Sequence, residues 1–375
     1  MTKTLGIIGG GQLGRMLSIA AKNLNFKTIV LDPTPQSPAG LVSDKQIIGD
    51  FKDPKQIHKL ARIVDFLTFE IESANTKVLK DLVKEGITAQ PPGETLEIIQ
   101  DKLKQKQFLR LHNIPVPQFA PIKNKTDLRD QIKFLKYPVI LKARFHAYDG
   151  RGNAVIKNET DIAKAFKKLG NRDLYLEKYI PLEKELAIQI ARNNKGQIKS
   201  YPLVETIQKD NICHIVIAPA QISNKTKKDA IKVAKDVIKN LSGAGVFGVE
   251  MFLTKNSKVL INEIAPRVHN SGHYTIEACT TSQFEQHVRA VCNLPLASTT
   301  MRTKAAVMIN ILGKRNGPAL PKNITKAANP DGVFVHIYGK KETRHQRKMG
   351  HITALGKTVA QALEKAKKAE RQISI

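Results

Sequence analysis

The N-terminal stretch of the chain alternates short apolar runs with amphipathic segments, and this alternation restricts the possible fold more than any other feature. Between Lys3 and Ala89, apolar runs such as TLGIIGG, KTIVLD and DFLTFEIES are separated by amphipathic stretches such as QLGRMLSIAAKNL and KVLKDLVKEG. Strands that alternate with helices in this way are typical of β-α-β units around a parallel sheet. The sequence therefore predicts a Rossmann-like domain over residues 1–90.

A glycine-rich segment, GIIGGGQLGRM, includes the end of the first apolar run. Gly9, Gly11 and Gly14 have the G-x-G-x-x-G spacing. Asp32 ends the next apolar run, where a dinucleotide-binding protein has a ribose-binding acid. Considered alone, this pattern indicates an NAD-dependent dehydrogenase, which is therefore one alternative for the chain.

The pattern changes near Pro91, where QPPGE interrupts the alternation. The stretch TLEIIQDKLKQKQFLRLHN then predicts a helix that stops before Pro115 and Pro117, since proline prevents its continuation. Most later strand-like runs pair as hairpins, which indicates an α+β domain with antiparallel sheets. From about Ala305, two strands and a terminal helix indicate a small appended β-rich module. The predicted fold class is thus α/β followed by α+β.

The chain is strongly basic, with 61 lysine and arginine residues, 33 acidic residues and a formal net charge of +28. Stretches such as DAIKVAKDVIKN and TVAQALEKAKKAE place lysines on the polar faces of predicted helices, and few aromatic residues lie among them to stack on bases. This distribution favours a lysine-rich solvated surface over a nucleic-acid-binding function.

Hydrophobic segments and cysteine spacing indicate the cellular compartment in which a chain of this kind works. No apolar stretch is long enough to span a bilayer, and the N-terminus runs directly into a predicted strand without a charged leader. These features favour a cytoplasmic protein without a membrane partner. Cys213, Cys279 and Cys292 lie far apart without C-x-x-C spacing, which predicts reduced thiols rather than disulfides or zinc ligands.

Lys142 lies at the end of the apolar run VILKA, and the glycine-containing segment RFHAYDGRG leads from it to a second apolar run. A lysine in this position can hold phosphate oxygens while backbone N–H groups of the segment close over them. The G-x-x-x-x-G-K-[ST] pattern of a P-loop is missing, so a nucleotide site here is of another kind. An ordinary β-hairpin with a glycine-rich turn is the alternative interpretation.

Glu250 and Glu263 lie on two predicted strands that turn back on each other near TKNSK. Carboxylates on adjacent strands, with the amide oxygen of Asn262, are the hard oxygen ligands that Mg²⁺ takes. A turn centred on Asn256 places Glu250 opposite Asn262, with Glu263 one residue along. Because a slip of one residue changes which acid faces the site, the register stays open. Two solvent-facing acids on edge strands are the alternative.

The segment NEIAPRVHNSGHYT directly follows the proposed metal-binding strand and contains Arg267, His269, Asn270 and His273. Its proline and glycine predict a loop rather than a helix. Arginine offers a planar fork for a carboxylate or carbonate, and histidine exchanges protons near neutral pH. This cluster is the strongest local indication of a functional site in the chain.

A basic group, Lys340, Arg344, Arg347 and Lys348, follows a predicted strand within HIYGKKETRHQRKMGHI. A compact group of this kind suits a phosphate monoester. A basic surface loop is the alternative interpretation.

Several motifs occur in the order found in N5-carboxyaminoimidazole ribonucleotide synthases, the ATP-grasp enzymes of purine biosynthesis. They are GGGQLGRM, TFEIES, DKLKQKQFL, YDGRGN, INEIAPRVHNSGHYT and YGKKETRHQRKMGHI. NEIAPRVHNSGH and RKMGH are specific to this family within the superfamily, whereas the glycine-rich segment is not. The chain thus resembles this family over nearly its whole length. The resemblance implies a pre-ATP-grasp domain over 1–90, an ATP-grasp domain over 91–300 with a lid at about 115–180, and a C-terminal module over 301–375.

The resemblance also implies the residues of the site. Those implied to bind ATP are Lys102, Lys142, Ala147, Tyr148, Asp149, Gly150, Arg151, Gly152, Asn153, Glu177, Lys178, Tyr179, Ile180, Glu185, Gln208, Asn262 and Glu263. Those implied to bind the aminoimidazole ribonucleotide are Gln12, Leu13, Glu72, Asn270, Lys340, Arg347 and Lys348. Glu250 and Glu263 are implied to hold Mg²⁺, for which Mn²⁺ can substitute.

The activity implied by the resemblance is the formation of carboxyphosphate from ATP and bicarbonate. Carboxyphosphate then breaks down to CO₂ or transfers its carboxyl group to the exocyclic amine of 5-aminoimidazole ribonucleotide, which becomes carboxylated. We hypothesise that Arg267 and His269 hold bicarbonate and that Asp149 orients or deprotonates the amine. The resemblance further implies a homodimer. Another ATP-grasp ligase, acting on a phosphorylated small-molecule amine or acid, is the nearest alternative.

Four positions depart from the family pattern, namely Ser73, Ala147, Asn153 and Gln208. Ala147 stands where the family commonly has glycine, and it should stiffen its loop because only glycine reaches positive φ freely. Gln208 stands where the family has a histidine near ATP. These departures leave the reaction class unchanged and concern the nucleotide contacts and the closing of the loop.

Overall fold

The N-terminal domain is a parallel sheet with helices packed on it, in agreement with the alternating sequence pattern. A computed structural model describes residues 2–146 and 152–375 of the chain. The N-terminal elements are β1 (Thr4–Ile8), α1 (Gln12–Asn23), β2 (Lys27–Asp32), β3 (Lys45–Ile48), α2 (Pro54–Ala61), β4 (Phe66–Phe69) and α3 (Thr76–Leu82), with a 3₁₀ turn at Val83–Glu85. The strands lie in the order β3-β2-β1-β4. Since β1 and β4 are parallel neighbours, their carboxyl ends lie side by side, and the segments that contain Gln12 and Glu72 both begin at this edge of the sheet.

A smaller antiparallel sheet with two helices forms the first part of the central domain. Its elements, with the two helices that precede it, are α4 (Gly93–Gln100), α5 (Lys102–Leu111), β5 (Phe119–Ile122), α6 (Lys125–Leu135), β6 (Val139–Ala143), β7 (Asn153–Ile156), α7 (Asp161–Leu169) and β8 (Leu174–Lys178). The strand order is β5-β8-β6-β7, and Lys142 is paired with Asn153. The hairpin predicted around Lys142 is therefore present.

The helix predicted over TLEIIQDKLKQKQFLRLHN is divided at Asp101 into α4 and α5. Asp101 has an extended backbone, with φ −93° and ψ 103°. Its Oδ1 accepts hydrogen bonds from the N–H groups of Leu103 and Lys104 at 3.0 and 3.3 Å. Asp101 therefore caps a new helix, and the prediction of one continuous helix is wrong because the apolar periodicity continues across this local break.

A large antiparallel sheet forms the rest of the central domain. Its elements are β9 (Leu182–Arg192), β10 (Ile198–Ser200), β11 (Val204–Lys209), β12 (Ile212–Ala218), α8 (Asn224–Asn240), β13 (Gly245–Thr254), β14 (Val259–Ala265), α9 (Thr275–Ala278) and α10 (Gln283–Val291), with a 3₁₀ turn at Asn270–Gly272. The loop predicted after β14 thus contains a 3₁₀ turn and the start of α9, which corrects the expectation of a segment without helix.

The C-terminal module continues this sheet rather than forming a separate one. Its elements are β15 (Ala305–Leu312), β16 (Gly317–Pro318), α11 (Ile324–Ala328), β17 (Val333–Ile337), β18 (Glu342–Thr343), β19 (Lys348–Gly356) and α12 (Val359–Gln372). The strands lie in the order β14-β13-β9-β11-β12-β15-β19-β17, with β10 against β9. The junction is the antiparallel pairing of β12 with β15, in which Ile215 faces Ile309.

The apolar core follows these layers. In the N-terminal domain Leu5 and Leu17 are fully buried between β1 and α1. In the large sheet Phe247 and Ile188 pack against α8. Across the part of the chain that the structure describes, no helix combines the length and the apolar character needed to cross a membrane.

Candidate active site

A cleft of about 880 Å³ is lined by residues from the N-terminal, central and C-terminal parts of the chain. The predicted site residues that line it are Gln12, Leu13, Glu72, Lys102, Lys142, Asn153, Glu177, Lys178, Tyr179, Ile180, Glu185, Gln208, Glu250, Asn262, Glu263, Arg267, His269, Asn270, Lys340, Arg347 and Lys348. Gly152 lies just before β7, with φ 102°. The predicted residues Ala147, Tyr148, Asp149, Gly150 and Arg151 lie outside the described residues.

Glu177 lies between two lysines of the cleft. Its Oε1 is 3.1 Å from Lys142 Nζ, and its Oε2 is 2.9 Å from Lys106 Nζ. Burial disfavours the charged form of Lys142, but the Glu177 carboxylate outweighs this effect and raises the pKa of the ammonium. Burial lowers the pKa of Lys106, and Glu177 opposes that shift. A buried carboxylate thus holds Lys142, the predicted phosphate ligand, at the wall of the cleft.

Lys102 and Arg267 converge on acidic side chains. Lys102 forms an ion pair with Glu263, and its Nζ lies 3.7 Å from Glu72 Oε2. Arg267 donates from Nη2 to Glu72 Oε1 at 2.8 Å and from Nη1 to the carbonyl oxygen of Val268 at 3.0 Å. Within the described residues, the buried Nε of Arg267 has no hydrogen-bond partner. Because an unpaired buried donor is costly, this N–H suits an anion bound in the cleft.

Strands β13 and β14 bring the two predicted metal ligands together. Glu250 is paired directly with Glu263, and a shift of register beside this pair leaves Asn262 without an opposite residue. The arrangement expected from a turn at Asn256, with Glu250 opposite Asn262, is therefore displaced by a one-residue bulge. Residues directly opposite each other in an antiparallel pair share one face of the sheet, so both carboxylates face the cleft.

The charges at this pair fit a divalent cation. Burial, and then the charges of Glu263 and Glu185, raise the pKa of Glu250 to about 7. A cation relieves such crowding, and Mg²⁺ commonly takes one or two carboxylates together with phosphate oxygens and water. No group of three or more His, Cys, Asp or Glu side chains suited to a metal occurs in the described ranges. Glu250 and Glu263 therefore suit a metal that is shared with a bound phosphate.

The hydrogen bonds around His269 select one tautomer of its ring. The Ser271 backbone N–H donates to His269 Nδ1 at 3.4 Å, and the Ser271 hydroxyl, which accepts from Gln189 Nε2 at 2.8 Å, also lies 2.8 Å from Nδ1. The ring hydrogen then lies on Nε2, which is 3.5 Å from Glu250 Oε1. Burial, and then the positive charge of Arg267, lower the pKa of His269 to about 3. At neutral pH the ring is therefore uncharged and carries its N–H on the side of Glu250.

Glu185 and Gln208 form a polar pair on neighbouring strands. Gln208 Nε2 donates to Glu185 Oε2 at 2.9 Å. Burial raises the pKa of Glu185, and the hydrogen bond from Gln208 opposes this shift. Gln208, which departs from the family pattern, therefore reaches the predicted ribose ligand directly.

The C-terminal basic group also lines the cleft, and backbone carbonyl groups hold two of its side chains. Lys340 Nζ donates to the carbonyl oxygen of Lys348 at 2.7 Å, and Arg347 Nη1 donates to that of Glu342 at 2.7 Å. Asn270 exchanges two hydrogen bonds with the buried Asn310 of β15, at 2.9 and 2.7 Å. The C-terminal module therefore contributes basic side chains to the cleft and also anchors Asn270.

Family models match the chain in the same order as its domains. The ribonucleotide synthetase preATP-grasp domain matches residues 1–100, the ATP-grasp domain matches 107–284, and the phosphoribosylaminoimidazole carboxylase C-terminal domain matches 306–365. The N5-carboxyaminoimidazole ribonucleotide synthetase of Thermotoga maritima is 47% identical, with a TM-score of 0.91 over 100% of this chain and 99% of that chain. The chain belongs to the N5-carboxyaminoimidazole ribonucleotide synthase family. The resemblance and the fold class predicted from the sequence are confirmed.

Other members of this family extend the comparison. The synthase of Synechococcus elongatus is 37% identical over 372 residues, which is 99% of this chain and 93% of that protein. An Aspergillus clavatus synthase, solved in complex with ADP and 5-aminoimidazole ribonucleotide, is 36% identical with a TM-score of 0.90 over 98% of this chain and 97% of that one. The chain covers just under two thirds, 65%, of the phosphoribosylaminoimidazole carboxylase of Schizosaccharomyces pombe, with 42% identity over 94% of this chain. The boundaries near residues 90 and 300 and the roles of individual residues stay predictions.

In this synthase-family chain, two carboxylates occupy the N–H groups of the glycine-rich segment. Gly10 N–H donates to Asp32 Oδ2 at 2.8 Å, and Gly11 N–H donates to Glu70 Oε1 at 2.6 Å. A Cβ atom on Gly11 would lie only 2.7 Å from Glu70 Oε1, so a larger residue there would displace the Glu70 carboxylate. A dinucleotide pyrophosphate would have to replace both carboxylates. This geometry argues against the dehydrogenase alternative.

Lys106 and Tyr175 line the cleft but are not among the residues predicted from the family motifs. Lys106 follows Lys102 by four residues on α5, so both side chains lie on one face of the helix. Tyr175 precedes Glu177 by two residues on β8 and shares its face of the strand. The spacing within DKLKQKQFL and DLYLEK is the signal that could have identified both residues.

Proposed function

We propose that the chain is an ATP- and bicarbonate-dependent ligase that carboxylates the exocyclic amine of 5-aminoimidazole ribonucleotide. The observation that carries the proposal is one cleft that combines lysines suited to ATP phosphates, a carboxylate pair suited to Mg²⁺, and a separate basic group suited to a second phosphate. The complex of the Aspergillus clavatus relative with ADP and 5-aminoimidazole ribonucleotide supports the same pair of ligands here. The alternative, an ATP-grasp ligase with another phosphorylated substrate, is not favoured, since relatives such as the Synechococcus elongatus protein are named N5-carboxyaminoimidazole ribonucleotide synthases.

In the first step, bicarbonate attacks the γ-phosphorus of ATP, an O–P bond forms, and ADP leaves. Lys102 and Lys142 hold the phosphates, the backbone from Glu177 to Ile180 holds adenine, and Glu185 holds the ribose. When Mg²⁺ is bound by Glu250 and Glu263, it offsets phosphate charge. Positioning and electrostatics supply most of the catalysis in such a transfer.

Two donors are available for bicarbonate and for the carboxyphosphate that forms from it. The buried Nε of Arg267 has no partner among the described residues, and His269 carries its ring hydrogen on Nε2. Because His269 is neutral, it donates this hydrogen bond without adding a charge beside the magnesium site. Arg267 supplies the positive charge, while its ion pair with Glu72 fixes the plane of the guanidinium.

In the second step, the exocyclic amine attacks the carboxyl carbon, an N–C bond forms, and the C–O bond to phosphate breaks. Gln12, Leu13 and Glu72 form one wall for the ribonucleotide, and its phosphate is held by Lys340, Arg347 and Lys348. Asn270 is the remaining proposed contact. Asp149, which lies outside the described residues, is proposed to orient the amine or to take the proton that the amine loses.

We also propose, on the family resemblance, that the chain works as a homodimer in the cytoplasm. Sedimentation equilibrium of the purified chain tests the dimer. A monomer at micromolar concentration would contradict it.

Release of ADP, measured with ribonucleotide and bicarbonate each supplied or withheld, tests the reaction. We expect coupled turnover only when both are present. Indifference to both substrates would overturn the proposal.

Arg267→Ala and His269→Ala test the assignment of bicarbonate. We expect each to lower kcat by about a hundredfold, since the loss of one preorganised donor has that order of effect. Arg62→Ala is the matched control, because this arginine is exposed and forms a surface salt bridge with Glu85. Wild-type turnover in both site variants would refute the assignment.

A further inference from the structure

Lys106 has no part in the mechanism above, yet its charge is almost completely buried. The side chain of Lys106 is 2% exposed and that of Glu177 is 1% exposed. Taking an ammonium out of water is expensive even when the ion is paired, and apolar replacements of buried ion pairs are often neutral or stabilising. Packing alone therefore does not require an ion pair at this position. The charge of Lys106 calls for a reason other than stability.

The reason lies in the charge balance around Glu177. One carboxylate faces two ammonium groups, with Oε1 3.1 Å from Lys142 and Oε2 2.9 Å from Lys106. The sum of the three charges is one positive charge. Lys142 is the more exposed of the two lysines, with 15% of its side chain accessible in the cleft. Without Lys106, Glu177 would neutralise Lys142 completely.

A backbone hydrogen bond holds Lys106 at Oε2 of Glu177, the oxygen that does not contact Lys142. Lys106 Nζ donates to the carbonyl oxygen of Ile261 on β14 at 3.1 Å. This bond ties the ammonium to the sheet that also carries Glu263. The two lysines therefore keep separate oxygens of the carboxylate, and a hydrogen-bonded pair of Glu177 with Lys142 alone is prevented.

We propose that Lys106 is a positioning residue, which shares Glu177 with Lys142 and so leaves the Lys142 ammonium free to bind a nucleotide phosphate. The inference rests on the proposed function, in which Lys142 binds phosphate. Lys106 acts through Glu177 and makes no contact with the nucleotide in this scheme.

A double-mutant cycle separates this role from a structural one. The variants are Lys106→Met, Glu177→Gln and the double variant, and the probes are ADP with Mg²⁺ and adenosine, titrated by calorimetry. Lys106→Met should weaken ADP binding about tenfold, which corresponds to about 1.4 kcal/mol. Adenosine binding should change less than about twofold, because adenosine has no phosphate for Lys142. In the Glu177→Gln background the same substitution should change ADP affinity less than about threefold, because no carboxylate remains to be shared.

Each remaining outcome decides against a specific claim. Equal losses for ADP and adenosine, or equal losses in both backgrounds, would overturn the role of Lys106 and indicate packing alone. A wild-type chain without ADP affinity would instead overturn the proposed function. Thermal melting without nucleotide shows whether Lys106→Met folds. If it does not, the ADP affinity of Glu177→Gln is compared with that of the double variant. A role in packing alone predicts a loss of affinity in the double variant, whereas the positioning role predicts little change.

Discussion

Replacing His287 by glutamine should make the chain less sensitive to acid. The ring of His287 is fully buried on α10. Its Nδ1 accepts a hydrogen bond from Val246 N–H at 3.0 Å, so the ring hydrogen lies on Nε2, 2.9 Å from Thr68 Oγ1. Thr68 in turn donates to the carbonyl oxygen of Gln90 at 2.7 Å. This arrangement joins the N-terminal domain to the large sheet, and it requires a neutral ring.

The size of the effect follows from the environment of the ring. Burial lowers the pKa of His287 from 6.5 to about 4. The unfolded chain takes up a proton below pH 6.5, whereas the folded chain does not until about pH 4. The contribution to stability is therefore fully present above pH 6.5 and is lost as the pH falls toward 4. Between about pH 7.5 and about pH 5.0 the loss amounts to about 2 kcal/mol.

Urea unfolding of the wild-type chain and His287→Gln at these two pH values measures the loss. The wild-type chain should lose about 2 kcal/mol more unfolding free energy on acidification than the variant, since glutamine does not titrate. Other buried histidines, including His273 and His351, contribute equally to the pH dependence of both proteins. Their contribution therefore cancels when the free-energy change of the variant is subtracted from that of the wild type. His112→Gln, at an exposed position, is the control and should keep the wild-type pH dependence. The same pH dependence in the wild type and His287→Gln would refute the buried neutral ring.

Three further predictions follow from the geometry. Asp101→Ala removes the cap of α5 and the partner of Arg144, so it should lower the unfolding free energy by about 2 kcal/mol, seen as a lower Tm. Asp81→Ala, at an exposed ion pair with Lys84, should leave the unfolding free energy nearly unchanged because water screens such a pair, and equal losses in the two variants would refute the role of the cap. Glu250→Gln should raise the Mg²⁺ concentration for half-maximal turnover at least about tenfold, and an unchanged requirement would speak against the metal assignment. Fluorescence titration with NADH should show no saturable binding, because Asp32 and Glu70 occupy the glycine N–H groups, and micromolar affinity would contradict this.

Much of the fold could be predicted because it depends on neighbouring residues. The parallel N-terminal sheet, the hairpin at Lys142 and the pairing of β13 with β14 all follow from apolar periodicity and nearby turn residues. The break at Asp101 was missed because a single capping side chain interrupts a pattern that continues on both sides. The bulge at Asn262 was missed because an extra residue in one strand leaves no mark on the alternation.

Site residues that belong to sequence motifs could be predicted, whereas a residue that is distinguished only by its burial could not. Arg267, His269 and the C-terminal basic group were predicted from sequence as site residues, and they line one cleft. Lys106 was not identified, because a lysine in an amphipathic helix is indistinguishable in sequence from the many that face water. Its partner Glu177 lies 71 residues further along the chain, on β8. Pairing over such a distance has no local signal.

The continuous sheet across β12 and β15 has a practical consequence for protein engineering. Both faces of this junction are covered, with Val216 and Met308 in one apolar cluster and Ile217 and Val307 in another. A fragment shortened before β15 would expose the hydrogen-bonding edge of β12 together with apolar side chains on both faces, which is a template for aggregation. The ATP-binding part therefore cannot be trimmed to a minimal nucleotide-binding fragment for crystallisation or ligand screening unless a replacement strand is supplied.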